Sequence, residues 1–266
     1  MNEDAIDKYI RMQGEIKELG RAAVAFSGGV DSTLLLKAAL DATGGNVVAL
    51  TAVSPLFPEA ELKDAREIAA MLGAEHIVFD FGISAEGISS NPKDRCYHCK
   101  KALYMQMQEI ADLNNLGALL DGSNASDAGA YRPGSRAIRE LGVKTPLMDA
   151  GLSKEEIRAM SKSLGLLTWN KPSMACLASR IPYGEAITEA NLSMVESAEA
   201  YLMGLGLKGF RVRWHPGNAA RIEASAEGIK TLFENSSQIY AQLREYGFSF
   251  VSADLLGYRA GSMDEL

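Results

Sequence analysis

Six consecutive residues, Ser27-Gly28-Gly29-Val30-Asp31-Ser32, constrain this chain more than any other stretch. Ahead of them, Ala22-Ala23-Val24-Ala25-Phe26 is continuously apolar and reads as a buried strand; behind them, Thr33-Leu34-Leu35-Leu36-Lys37-Ala38-Ala39-Leu40 reads as a helix. Two glycines at a strand-to-helix turn let the backbone come close to a ligand. The helix start adds N–H groups without an intrahelical acceptor and the positive end of the dipole, so the turn favours phosphate. Ser27 and Ser32 contribute hydroxyl donors. Asp31 would repel a bare anion but suits phosphates that arrive with Mg²⁺. No lysine follows the glycines, which excludes a G-x-x-x-x-G-K-S/T loop.

Strands and helices alternate after this turn. A helix is expected over 1–20, a strand over 46–53, a helix over 58–72, a strand over 75–80, a helix over 100–114, a strand over 117–121 and a short fifth strand over 144–148. Ser153-Lys154-Glu155-Glu156 has the form of a capping box and opens a helix to residue 164. Short apolar strands separated by helices predict an α/β domain, a parallel sheet covered on both faces with the glycine turn at its carboxyl edge. Residues 121–134, rich in loop formers, read as a mobile flap over the nucleotide. The pattern changes near 184. A helix over 188–205, strands over 210–214 and 219–223, a helix over 226–246 and a strand over 248–254 make a small α+β domain. The expected division is therefore 1–183 and 184–266, with 263–266 a frayed tail.

Composition narrows the partners. At 47% hydrophobic residues the chain can fill a core, and no run of 18 apolar residues exists to cross a membrane. The polar, acidic start reads as neither signal nor transit peptide, so a cytoplasmic protein is expected. A net charge of −7 without a block of Lys and Arg argues against nucleic acid as the main partner.

The three cysteines are Cys96, Cys99 and Cys176. An odd count in a cytoplasmic chain does not suggest structural disulfides. The first two lie three apart, read as just ahead of a helix, with Arg95, Lys100 and Lys101 beside them to favour thiolate. Three thiolates can hold an iron–sulfur cluster with one iron left open. Alternatively Cys96 and Cys99 form a redox or persulfide pair with Cys176 the attacking thiol, or the three join His98 or water around Zn²⁺, or they are three unrelated buried residues. Arg211 and Arg213 share one side of a strand, as do Arg221 and Glu223 on the next, and with Ser179-Arg180 they could grip a phosphate or be solvated strand charges. Glu199 could be an acid, a metal ligand or an ordinary helix-surface residue.

The S-G-G-x-D-S turn resembles the PP-loop of the N-type ATP pyrophosphatases, which holds the pyrophosphate of ATP while a substrate is adenylated. Thr145-Pro146-Leu147-Met148 and Leu152 to Arg158 resemble a late segment of the same enzymes. Several segments together resemble one group, the LarE sulfurtransferases. These are residues 25–33, Asp121-Gly122, Tyr131-Arg132-Pro133-Gly134, Trp169-Asn170-Lys171, Ser179-Arg180 to Pro182-Tyr183-Gly184, Arg211-Val212-Arg213 and Arg221-Ile222-Glu223.

The resemblance implies an adenine nucleotide alpha hydrolase-like PP-loop domain followed by a small α+β domain. It further implies ATP- and Mg²⁺-dependent sulfur transfer to a carboxylate of pyridinium-3,5-biscarboxylic acid mononucleotide, on the way to a nickel-pincer cofactor. It implies that Ser27, Gly28, Gly29, Asp31 and Ser32 hold ATP, that Ser179, Arg180, Arg211 and Arg213 hold the substrate phosphate, and that Glu199 and Glu223 contact a divalent cation. A further acidic position of the family falls on Thr231 here. Relatives with one cysteine at the position of Cys176 sacrifice its sulfur; the chain resembles the three-cysteine branch, in which Cys96, Cys99 and Cys176 hold a 4Fe–4S cluster. The resemblance also implies a homo-oligomer, a hexamer. A cluster-dependent tRNA 2-thiolase, which likewise joins a PP-loop to three cysteines, is the alternative.

Overall fold

Val24 and Ala23 point to opposite faces of one strand, and both are fully buried. That double burial is the signature of a parallel sheet packed on two sides. The computed structural model describes residues 3–84, 87–127, 133–172, 174–259 and 261–263. The chain divides into two compact units, the first formed by 1–81 and 94–174, the second by 82–93 and 175–266.

In the first unit the elements run α1 (Glu3–Glu18), β1 (Ala22–Ala25), α2 (Val30–Thr43), β2 (Val47–Val53), α3 (Glu59–Met71), β3 (Glu75–Asp80), α4 (Arg95–Leu113), β4 (Ala118–Leu120), α5 (Pro133–Glu140), α6 (Pro146–Asp149) and α7 (Lys154–Ser163). The sheet order is β3-β2-β1-β4, all parallel. On one face Val24, Val47, Ala49 and Leu120 pack with Met12 and Ile16 of α1, Leu34 to Leu36 of α2 and Ile157 and Met160 of α7. On the other, Ala23, Val48, Leu50 and Leu119 pack with Tyr104, Met107 and Ala111 of α4 and with Ile138 of α5. No helix among the described residues is long and apolar enough to cross a membrane.

Two expectations are corrected here. The fifth strand over 144–148 shrinks to one parallel bridge between Leu120 and Lys144. Pro146, whose ring sets a helical φ and whose missing N–H costs nothing at a first turn, opens α6 instead. Helix α4 starts at Arg95, not at residue 100, so Cys96 and Cys99 lie inside it. Its first turn is held by tertiary contacts: Tyr97 donates to Glu140 (2.6 Å) and the Arg136 guanidinium stacks on its ring (3.8 Å). Within the flap expected over 121–134, Ala125–Asp127 form a 3₁₀ turn and Pro133 and Gly134 open α5; its Ala128 to Arg132 lie outside the described residues.

The second unit contains a 3₁₀ turn (Leu177–Arg180), α8 (Glu189–Gly204), β5 (Arg211–His215), β6 (Ala219–Glu223), α9 (Ala226–Glu234), α10 (Ser236–Glu245) and β7 (Phe250–Ala253). Strands β5 and β6 form an antiparallel hairpin, and β7 joins β6 in parallel. The helix expected over 226–246 breaks at Asn235, whose side chain donates to the Thr231 carbonyl (2.9 Å) and competes with the backbone ladder.

The division also differs from the expected cut after residue 183. Residues 82–93 belong with the second unit because Asn91, fully buried, binds there: its amide donates to the carbonyls of Ile181 (3.3 Å) and Pro182 (2.6 Å). Gly184 donates back to the Asn91 carbonyl (2.9 Å) and Ile187 to that of Ser89 (2.8 Å).

Candidate functional site

The glycine turn lies at the carboxyl end of β1, as the strand–turn–helix pattern requires. Gly28 adopts φ +67°, and a Cβ there would stand 2.9 Å from the Ala65 Cα on α3, so only glycine fits. Gly29 is the N-cap of α2. The two serines brace the turn from inside. Ser32 Oγ lies 3.1 Å from Ser27 Oγ and donates to the Gly29 carbonyl (3.3 Å), while the Gly29 N–H donates to Ser27 Oγ (3.3 Å). A Cβ on Gly122 would lie 3.1 Å from the Ser32 nitrogen, so the loop after β4 also presses on the start of α2. This geometry fits a polyphosphate: closely approachable backbone, a helix N-terminus and hydroxyls in one place.

Asp31 faces outward from that turn. It receives Asn124 Nδ2 (3.3 Å) and pairs with Lys154 Nζ. A second lysine arrives from further along: Lys171 Nζ donates to the Gly28 carbonyl (3.2 Å) and pairs with Asp64 (2.7 Å). Neither lysine was singled out in the sequence as a site residue.

One residue from the loop's neighbour Gly122, Asp121 is almost wholly buried. Tyr104 and Ser123 Oγ donate to its carboxylate, the Ser123 N–H adds a third bond (2.9 Å) and Lys100 Nζ stands 3.5 Å away. Burial works to raise its pKa, but the Lys100 cation and the Ser123 and Tyr104 donors outweigh it and hold the acid below the usual range. The Tyr104 phenol is driven the other way, upward, by burial and by the Asp121 charge. Lys100 follows Cys99 directly, so this cluster ties the cysteine-bearing helix to the strand end beside the loop.

Cys96 is exposed and Cys99 half-buried, on successive turns of one side of α4. Cys176, half-buried, precedes the 3₁₀ turn of the second unit. Its carbonyl accepts from the Ser179 N–H (3.0 Å), Ser179 Oγ (2.8 Å) and an Arg180 nitrogen (3.1 Å). Three thiols are a suitable donor set for iron–sulfur chemistry. Two belong to the first unit and one to the second, and among the described residues no three His, Cys, Asp or Glu side chains are grouped as a metal site.

The second unit holds the arginines. Arg180 is 0% exposed and meets Glu199 bidentately, Nε to Oε1 at 3.0 Å and Nη2 to Oε2 at 2.9 Å. Its remaining nitrogen reaches the Ala175 carbonyl (2.7 Å) and Ser179 Oγ (2.9 Å). Glu199 is buried rather than at a helix surface and also accepts the Val212 N–H (3.0 Å). Arg213 binds Glu223 through two nitrogens (3.0 and 2.8 Å), Ser262 Oγ (3.0 Å) and the Ser179 carbonyl (3.0 Å).

Arg221 lies opposite Arg213 in the hairpin and shares the fully buried Glu223 with it (3.1 Å). A divalent cation on Glu199 and Glu223 does not fit this arrangement, because guanidinium and hydroxyl donors already occupy all four carboxylate oxygens. Thr231 is likewise turned to its own helix, donating to the Glu227 carbonyl (3.3 Å).

Arg211 is the exception. Half-buried, it forms no ion pair among the described residues and lies over the Tyr258 ring (5.1 Å). Burial first, then the neighbouring Arg180 and Arg213 cations, lower its pKa. Arg211 is thus a half-buried cation with no ion pair among the described residues, next to two arginines that have theirs.

No protein-family model matches the chain. Curated relatives do. An uncharacterised protein of Synechocystis is 41% identical over 94% of this chain and 94% of its own length. The pyridinium-3,5-bisthiocarboxylic acid mononucleotide synthase of Lactiplantibacillus plantarum is 40% identical over 97% of this chain and 94% of its own. More distantly, the tRNA-specific 2-thiouridylase MnmA of Rhodospirillum rubrum is 29% identical over 74% of this chain and 62% of its own length.

Proposed function

The chain belongs to the LarE family of pyridinium-3,5-bisthiocarboxylic acid mononucleotide synthases, and from that footing we propose that it thiolates a carboxylate of pyridinium-3,5-biscarboxylic acid mononucleotide at the expense of ATP. The observation that carries this reading is the 40% identity to the Lactiplantibacillus plantarum synthase across 97% of the chain, both units included. A net charge of −7 and the weaker likeness to the thiouridylase favour a small nucleotide over tRNA.

A carboxylate resists nucleophiles until one of its oxygens becomes part of a better leaving group. ATP supplies that group: the carboxylate oxygen bonds to the α-phosphorus, pyrophosphate departs, and a sulfur nucleophile then expels AMP and leaves a thiocarboxylate. In this reading Gly28 and Gly29 bring the backbone of the turn against the departing pyrophosphate. Ser27 and Ser32 donate to it, and Asp31 takes the Mg²⁺ that accompanies it. Arg211 binds the substrate phosphate, with Ser179, Arg180 and Arg213 around it, so that orientation is supplied far from the reacting carbon. Cys96, Cys99 and Cys176 would hold a 4Fe–4S cluster, which when bound supplies an iron open to sulfide. The Ser179 and Arg180 donors on the Cys176 carbonyl fix the backbone from which its thiol projects.

The test is anaerobic purification with iron analysis, followed by incubation with ATP, Mg²⁺, sulfide and the biscarboxylic mononucleotide. Mass spectrometry should find oxygen exchanged for sulfur in the product, with AMP and pyrophosphate released. About four irons per chain, lost in Cys96→Ala, would support the cluster. Full activity in an iron-free protein would remove the cluster from the scheme, and absence of thiolated product would remove the scheme.

A further inference from the structure

The loop that is read as holding the triphosphate carries no cation of its own; its single charged residue, Asp31, is an acid. The helix dipole supplies about half a charge at the start of α2. A triphosphate with one Mg²⁺ still brings net negative charge that hydroxyls and backbone alone do not neutralise. Two lysines far along the chain reach this loop in the folded first unit. Lys154 Nζ pairs with Asp31, and Lys171 Nζ reaches the Gly28 carbonyl at 3.2 Å.

The placement of Lys154 goes against local preference. It is the first residue of α7, directly after the Ser153 N-cap, where the dipole favours acids. Its backbone N–H is fixed to Ser126 Oγ (3.0 Å), and its side chain runs to the N-terminal turn of α2. The positive end of α2 and an ammonium from α7 thus meet at one carboxylate. Lys171 is set from the same helix: Arg158, one turn on from Lys154, donates to the carbonyls of Trp169 (2.8 Å) and Lys171 (2.9 Å). Helix α7 therefore positions both lysines. Their side chains keep partial exposure, 27% and 18%, so each can turn toward a ligand without leaving a sealed interior.

We propose that Lys154 and Lys171 are ATP-binding residues, their ammonium groups leaving Asp31 in the one case and Asp64 and the Gly28 carbonyl in the other for triphosphate oxygens, while Asp31 takes the metal ion. The loop thereby gains in trans the lysine that the G-x-x-x-x-G-K-S/T loop has in cis. The inference rests on the ATP-dependent reading above.

Calorimetric titration of the full chain with α,β-methylene-ATP and Mg²⁺, and separately with AMP, tests it. Lys154→Met and Lys171→Met should each weaken the triphosphate analogue about tenfold or more, as loss of a charge-assisted hydrogen bond does, and change AMP affinity far less. Lys154→Arg should recover part of the loss. Unchanged analogue binding in both Met variants overturns the proposal. Equal weakening of AMP and the analogue also overturns it, because it marks the lysines as mere supports of the loop. Failure of the unaltered chain to bind the analogue overturns the ATP reading itself.

Discussion

In the first unit the loop Ser27 to Ser32 meets its surroundings through backbone atoms, two hydroxyls and one partly exposed acid. In the second unit Arg180, Arg213, Glu199 and Glu223 form a buried lattice in which nearly every polar atom has a protein partner. The loop is made of neighbours in sequence; the lattice joins residues 10 to 49 positions apart. A site built from backbone keeps its shape through a few bonds among sequence neighbours, here Ser27, Gly29 and Ser32. A site built from paired charges spends most of its donors on itself; among the described residues Arg180, Arg213 and Arg221 are ion-paired and Arg211, proposed above to bind the substrate phosphate, is not. The difference separates residues that bind from residues that hold.

The lattice can be broken hardest at Glu199. Glu199→Ala strands the fully buried Arg180 charge and should lower unfolding stability by about 3–5 kcal/mol in urea titrations; a loss within experimental error would mean that the lattice does not hold the second unit together. Arg211 sharpens the contrast. Arg211→Ala should cost less than about 1 kcal/mol of stability, since it breaks no ion pair, yet raise the KM for the phosphorylated substrate about tenfold through loss of a charge-assisted contact. The opposite pattern would place Arg211 among the holders.

The smallest effect concerns Asp121. Its folded-state pKa lies below the ordinary 3.8, so its stabilising contribution is present above that value and lost as pH falls through the lower one. Asp121→Asn should flatten this acid limb of the stability curve, measured by thermal melts down the pH scale. An unchanged limb would assign acid sensitivity to other carboxylates.

The same contrast explains what could be read before folding. Gly28 and Gly29 between a strand and a helix, and the capping box of Ser153 and Glu156, are local patterns, and the structure shows both. The continuous apolar runs of β1 and β2 likewise announce burial on both faces. The start of α4 was missed because Tyr97 is held by Arg136 and Glu140, about forty residues on. Arg180 was legible as a conspicuous cation but not as the partner of Glu199, since nothing in either segment encodes their meeting. Lys154 carried one faint signal, a cation at a helix position that favours acids. The placement of 82–93 depended on the Asn91 amide finding carbonyls some ninety residues away.

That last feature bears on how the molecule comes into being. Because 82–93 leaves the first unit and the chain then returns to it until Met174, neither unit is a contiguous stretch of polypeptide. During synthesis, Asn91 emerges long before Ile181 and Pro182, and must stay unengaged while the rest of the sheet is made. No single cut yields two independent halves, and a truncation after residue 183 would remove the Gly184 and Ile187 N–H groups that bind the carbonyls of Asn91 and Ser89.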